Sequence, residues 1–127
     1  MLWRHNVERI LVIYDDPRSQ QAVREILEPA GYRTLLAESG EQAIDIVQRD
    51  DVHLALMDMH LPKLSGLETM EIVRQIKGVL PMILVSADHD DQILRKALQA
   101  HAFCVLAKPV SKNLAIYVVT RALKKFY

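Results

Sequence analysis

Several side chains that could take part in a reaction or bind a ligand follow closely after apolar runs of this sequence. They are Asp15, Asp16, Asp58, Ser86 and Lys108. Carboxylates beside a protein core are costly unless they are paired or hold a cation. Their oxygens are the ligands that a hard cation such as Mg²⁺ prefers, and a nearby ammonium would balance a bound anion. Gathered together, these groups suit phosphoryl transfer, in which positioning and charge stabilisation supply most of the catalysis.

The apolar runs that precede these side chains look like buried strands. There are five of them, at residues 10–14, 34–37, 52–57, 81–85 and 103–107. Most are rich in Ile, Val, Leu or Met without polar alternation. This pattern is typical of strands that are covered on both faces, as in a parallel sheet.

The segments between the runs show the three- and four-residue spacing of amphipathic helices. The first such stripe predicts a helix over about residues 18–30, with Gly31 just past its end. Three further helices are marked by Ala43, Ile44 and Val47, by Leu67, Met70, Val73 and Ile76, and by Ile93, Ala97 and Leu98. A fifth helix is expected over about residues 111–125, because Ser111 can cap it and basic residues end it.

Two of these helices begin with a capping-box pattern, Ser39 with Gln42 and Ser65 with Glu68. The resulting order is strand then helix, five times over. Right-handed crossovers would cover both faces of the sheet, so the predicted fold class is α/β, a doubly wound (βα)5 five-stranded parallel sheet. In such a sheet ligands bind outside the carboxyl ends of the strands, which is where the polar side chains stand.

Composition and charge narrow the class of protein. The chain has 127 residues, of which 50% are hydrophobic and 25% charged, and its 16 basic and 16 acidic residues cancel. We therefore expect a single domain over residues 1–127, with a core over about 9–125. The charge balance argues against direct nucleic acid binding. Cys104 is the single cysteine, and with no membrane-length run or secretory signal the sequence predicts a cytoplasmic protein away from the membrane.

Three segments resemble signatures of the receiver domains of two-component response regulators, chemotaxis regulators among them. Residues 56–66 read LMDMHLPKLSG and resemble the phosphoacceptor segment of that family. Residues 85–87, VSA, and 106–109, LAKP, resemble its later signatures. The resemblance extends from about residue 9 to residue 125. It implies the flavodoxin-like strand order 2-1-3-4-5.

The resemblance also implies a phosphorylation switch. Asp58 would be the phosphoacceptor and would take a phosphoryl group from a sensor histidine kinase or a phosphotransfer protein. Mg²⁺ would be the cofactor, held by Asp15, Asp58 and the backbone carbonyl of His60. Asp16, followed by Pro17, is open to two interpretations, a supporting metal ligand or a helix cap. Such a domain is not an enzyme with a separate substrate, although it promotes its own phosphorylation and dephosphorylation.

The remaining site roles also follow from the resemblance. Lys108 would pair with the phosphoryl oxygens, and Ser86 would donate a hydrogen bond to one of them. Ala87 would leave room for the phosphoryl donor, and Pro109 would aim Lys108 through a cis peptide bond. The side chains of His60 and Asp88 would control the access of water to the phosphoryl group.

Two positions depart from the family pattern. Tyr14 stands where the first of two acids is expected, and a phenol is neutral near pH 7, so we expect weak Mg²⁺ binding. Val105 stands where the family carries a switching aromatic residue. Phe103 lies two residues earlier and is expected on the same face of the strand. The usual switch region is therefore altered.

Other functions stay open at this point. The main alternative is a degenerate receiver that acts as a phosphorylation-independent protein-interaction module, which Tyr14 and Val105 favour. An aspartyl phosphatase would need a second Asp where His60 stands. A flavin-binding module would need a phosphate cradle in place of Asp15, Asp16 and Pro17. A surplus of apolar residues in the last helix predicts a homodimer or partner surface: Ile116, Tyr117, Val119, Phe126 and Tyr127.

Overall fold

The computed structural model describes residues 7–88 and 90–127, in which five strands alternate with five helices. The strands are β1 (Arg9–Ile13), β2 (Arg33–Ala37), β3 (Leu54–Asp58), β4 (Met82–Ser86) and β5 (Cys104–Ala107). The helices are α1 (Pro17–Leu27), α2 (Gly40–Arg49), α3 (Gly66–Ile76), α4 (Asp91–Gln99) and α5 (Lys112–Phe126).

The strands form one parallel sheet in the order β2-β1-β3-β4-β5. This confirms the predicted doubly wound α/β fold and its 2-1-3-4-5 order. Every residue of β3 and β4 is buried, which explains why these strands show no polar alternation. Separate apolar clusters cover the two faces, one around Leu11, Met57 and Leu84 and the other around Ile10 and Leu56.

The first helix is shorter than the sequence pattern predicts. It ends at Leu27, with Glu28 as its C-cap, and does not reach residue 30. Glu28 still has helical backbone angles, but Pro29 lacks the backbone N–H that would continue the helical hydrogen bonds, so the regular helix stops there. Gly31 then turns the chain toward β2 with a positive φ of 101°.

The predicted capping boxes differ in their outcome. At α3 the Ser65 hydroxyl accepts from the Glu68 N–H and the Glu68 carboxylate accepts from the Ser65 N–H, a complete box. At α2 the Ser39 hydroxyl accepts from Gln42. The Gln42 side chain, however, accepts from the N–H of Glu38, one residue before the expected partner. The capping box at α2 is therefore only half formed.

Helix α5 corrects one member of the predicted partner surface. Val119 is fully buried in the core, whereas Tyr117, Phe126 and Tyr127 are exposed.

The single cysteine, Cys104, packs against the core, and burial raises the pKa of its thiol to about 11. A thiol with that pKa is almost entirely protonated near neutrality, which fits an unreactive residue. Within residues 7–88 and 90–127, no helix has the length and apolar character needed to cross a membrane.

Gly40 is a point of close approach between α2 and the segment that begins α3. A Cβ at this position would collide with the Thr69 hydroxyl and press on the Leu64 side chain. We expect Gly40→Ala to lower the free energy of unfolding by about 1–3 kcal/mol, because the packed helices must separate. Urea denaturation measures the effect.

Gly78→Ala is the matched control. Its added Cβ would meet the Arg74 carbonyl oxygen at 3.5 Å, an ordinary contact, and Gly78 does not have a positive φ. An equal loss of stability in both variants would contradict the assignment of tight packing to Gly40.

Candidate functional site

Asp58 is a buried acid at the carboxyl end of the central strand β3, and its side chain is only 6% exposed. Its Oδ1 accepts a hydrogen bond from the His60 N–H at 3.0 Å. Its Oδ2 accepts from the Lys108 ammonium at 2.8 Å. Both oxygens of the buried carboxylate therefore have a partner, and one of those partners carries the opposite charge.

Lys108 reaches Asp58 from the end of β5, two strands away in the sheet. Its backbone N–H donates to the Ser86 carbonyl at 3.1 Å, which attaches the residue to the end of β4. The peptide bond between Lys108 and Pro109 is cis, as the sequence resemblance implied. About a third of the Lys108 side chain, 32%, is exposed, so its ammonium lies at the border between the core and solvent.

Ser86 ends β4 and is fully buried. It pairs with Ala107 across the sheet, while Asp58 pairs with Val85, so the parallel register brings Asp58, Ser86 and Lys108 to the same edge. The Ser86 hydroxyl accepts from the Asp88 N–H at 3.0 Å. Ala87, between them, is exposed.

His60 and Asp88 connect the two loops that border Asp58. The imidazole Nε2 lies 3.1 Å from the Asp88 Oδ2, and both side chains are more than half exposed. The pair spans the gap between the β3–α3 loop and the β4–α4 loop. Both partners of this contact are therefore open to solvent.

Tyr14 follows β1 and is buried beside these charges. Its ring centroid lies 5.7 Å from the Lys108 ammonium. Burial raises the pKa of the Tyr14 phenol, and the negative charge of Asp58 raises it further. The phenol is therefore neutral in the folded protein, and this position contributes no carboxylate to the site.

The two acids after Tyr14 differ in their surroundings. Asp15 is exposed. Asp16 caps α1, where its carboxylate accepts from the Arg18 N–H at 3.1 Å and from the Ser19 hydroxyl at 3.0 Å. Of its two proposed roles, the cap is the one for which the structure shows contacts. In the described part of the chain, no group of three or more His, Cys, Asp or Glu side chains could hold a metal ion.

The structure also corrects the expected position of Phe103. Val105 packs against the cluster around Met57 and Leu84, whereas Phe103 packs against the cluster on the opposite face. Alternation fails here because β5 begins only at Cys104, so Phe103 lies before the strand. Phe103 cannot replace an aromatic side chain at position 105.

Two residues that the sequence did not single out support the site. The buried Gln20 amide donates to the carbonyls of Tyr14, at 2.7 Å, and of Ala37, at 2.9 Å, which joins α1 to the ends of β1 and β2. Its position three residues before Val23, on the apolar stripe of α1, was the available signal. Gly66 begins α3 so close to β3 that a Cβ would overlap the backbone of Asp58 and of the residue after it.

Comparison with known proteins identifies the family to which a chain with this site belongs. The family model of the response regulator receiver domain matches residues 10–120. The chain belongs to that family. Among solved structures, a receiver domain protein from Clostridium thermocellum superposes on it with a TM-score of 0.88 at 26% identity, covering 94% of this chain and 96% of that one.

Two curated relatives of the chain are longer proteins. The cyclic di-GMP phosphodiesterase of Thermotoga maritima is 30% identical over 115 residues, which are 91% of this chain and 31% of that protein. The transcriptional regulatory protein CpxR of Escherichia coli is 31% identical over 103 residues, 81% of this chain and 44% of that protein. The chain thus spans less than half the length of these curated relatives.

Asp58 is more deeply buried than Lys108, so removing either partner should affect the free energy of unfolding differently. Lys108→Met should lower the free energy of unfolding by about 1–3 kcal/mol, because it leaves a buried carboxylate without its counter-charge. Asp58→Asn should change it by less than about 1 kcal/mol, because the partly exposed Lys108 can turn to solvent. In the double variant, Asp58→Asn should rescue most of the loss.

Urea denaturation of the four proteins in this cycle measures the coupling between the two side chains. Lys112→Met, at an exposed lysine, controls for the loss of a positive charge. If Lys108→Met is no more destabilising than Lys112→Met, the pair does not compensate a buried charge.

Proposed function

We propose that Asp58 is the phosphoacceptor of this receiver domain and that its phosphorylation switches the binding of a partner. The observation that carries the proposal is the contact of a buried carboxylate, Asp58, with an ammonium, Lys108, at 2.8 Å. The buried hydroxyl of Ser86 ends the neighbouring strand. A nucleophile, a cation and a hydrogen-bond donor at one edge are the groups that phosphoryl transfer needs.

In the proposed reaction, one carboxylate oxygen of Asp58 attacks the phosphorus of a phosphohistidine. A P–O bond forms and the P–N bond breaks, and the imidazole leaves with the electron pair and takes up a proton. Lys108 then balances charge on the phosphoryl oxygens. Ser86 can donate to one of them once its hydroxyl proton turns in that direction, while Ala87 leaves space for the donor.

The oxygen donors near Asp58 fit a hard cation in type but are few in number. Asp15, Asp58 and the His60 carbonyl would hold Mg²⁺, which keeps several waters in most protein sites. Bound Mg²⁺ would neutralise charge on the phosphoryl group. The neutral Tyr14 and the capping role of Asp16 leave this set with two carboxylates, so the affinity should be low.

We infer that the phosphoryl donor is a sensor histidine kinase or a phosphotransfer protein, in keeping with the family. Residues 9–125 would then be the core of a single receiver domain. The exposed aromatic residues of α5 and its C-cap, Tyr117, Phe126 and Tyr127, support a partner or homodimer surface. His60 and Asp88 would govern hydrolysis, because their exposed side chains are in contact and belong to the two loops that follow Asp58 and Ser86.

A second candidate function is a receiver that binds its partner without phosphorylation. Tyr14 favours it, since a neutral phenol contributes no metal-binding charge. Val105 favours it too, since no aromatic ring is available at that position to report a change at Ser86. In this alternative, the Asp58–Lys108 pair is a permanent structural contact.

Incubation with acetyl phosphate and Mg²⁺ distinguishes the two functions. Intact mass spectrometry should show the addition of one phosphoryl group, because acetate can leave from phosphorus as the Asp58 oxygen attacks. Asp58→Asn should abolish the addition, while Asp45→Asn, at an exposed acid of α2, should leave it unchanged. Failure of the native protein to gain mass would favour the phosphorylation-independent module, and persistence in Asp58→Asn would refute the assignment of the acceptor.

A magnesium titration separates the roles of the two adjacent acids. Asp15→Asn should raise the dissociation constant for Mg²⁺ by at least about tenfold, because it removes a charged ligand. Asp16→Asn should change it by less than about twofold, because asparagine also caps helices and the acid is occupied at α1. Backbone amide chemical shifts report binding; an equal loss in both variants would make Asp16 a ligand as well.

A further inference from the structure

Tyr14 is tied to the scaffold at several points. Its N–H donates to the Ala37 carbonyl at 3.1 Å, and its own carbonyl accepts from the Gln20 amide at 2.7 Å. The residue is 2% exposed and belongs to the core cluster that contains Val23. The aromatic face beside Lys108 therefore belongs to the rigid part of the molecule.

Lys108 is held at its backbone and at its ammonium, with its aliphatic chain between the two contacts. Its backbone is bonded to Ser86 and its ammonium to Asp58. Lys108 also lines a cavity of about 390 Å³, together with Tyr14 and Val110. Such a space leaves room for rotamers that point the lysine away from Asp58. Conformational entropy favours these alternatives, because a lysine side chain loses much of it when it is fixed in one rotamer.

The ring of Tyr14 favours the rotamer that places the Lys108 ammonium beside Asp58. An ammonium within about 6 Å of an aromatic centroid is attracted by the negative face of the ring, and the attraction grows when water is excluded. At 5.7 Å the Lys108 ammonium meets this condition while it also bonds to Asp58. A buried carboxylate and a buried aromatic face thus act on the same cation.

We propose that Tyr14 is a positioning residue for Lys108, and that its aromatic face keeps the ammonium beside Asp58 before and during phosphoryl transfer. The positioning in the unphosphorylated state stands on geometry alone. Its effect on transfer rests on the proposed function of Asp58. Tyr14 itself touches no reacting atom, so it acts through Lys108.

The test compares Tyr14→Phe, which keeps the ring, with Tyr14→Leu, which removes it. The matched control is Tyr32→Leu, which removes a ring that packs against the same core cluster but whose hydroxyl is bonded to Thr120 in α5. The first readout is the NMR signal of the Lys108 ammonium in ¹⁵N-lysine-labelled protein, assigned through its loss in Lys108→Arg. The second is the rate of phosphorylation by acetyl phosphate.

We expect the Lys108 signal to persist in Tyr14→Phe and in Tyr32→Leu, and to broaden beyond detection in Tyr14→Leu. The phosphorylation rate should fall about three- to tenfold in Tyr14→Leu and change by less than about twofold in the other two, in line with the size of cation–aromatic contacts. Rescue by phenylalanine assigns the effect to the ring.

Three results would overturn the proposal: an unchanged Lys108 signal in Tyr14→Leu, an equal loss in Tyr14→Phe, or an equal loss in Tyr32→Leu. The first removes the role of the residue, the second assigns it to the hydroxyl, and the third makes it a general effect on stability. If no protein is phosphorylated, the function proposed for Asp58 fails. The ammonium signal still decides the positioning of Lys108 by Tyr14.

Discussion

A negative charge at the edge of a hydrophobic core needs a compensating partner, and the architecture around Asp58 meets that need. Its carboxylate is buried and accepts from both a backbone N–H and the Lys108 ammonium. The ammonium can arrive there only because β5 runs parallel to β3 with β4 between them, so that all three strands end at the same edge. The strand order and the register of the sheet are therefore what allow the buried charge of Asp58 to be balanced by Lys108.

The sequence predicted this arrangement well where a single physical rule dominates. Apolar runs predicted the five strands, of which β3 and β4 are buried throughout, and parallel pairing then required Asp58, Ser86 and Lys108 to converge. Prediction failed where two rules compete. Pro29 overrode a favourable apolar stripe at the end of α1, and the late start of β5 invalidated the alternation that was applied to Phe103.

The acids near Tyr14 show a different reason why sequence reasoning stops short. Composition and spacing place Asp15 and Asp16 beside the site, but only the hydrogen bonds to Arg18 and Ser19 reveal that one of them is occupied as a cap. Likewise, nothing in the sequence gives the distance between Tyr14 and Lys108. These are contacts between loops and neighbouring elements, and local patterns do not encode them.

The absence of a side chain at Gly66 has a mechanical consequence for this edge of the sheet. Helix α3 starts in contact with the backbone of Asp58, and the Gly66 N–H donates to the Met59 carbonyl at 2.9 Å. Nothing can be inserted between them, so the helix cannot advance toward the strand. A displacement of the Asp58 backbone toward α3 would therefore press directly on the first residue of that helix.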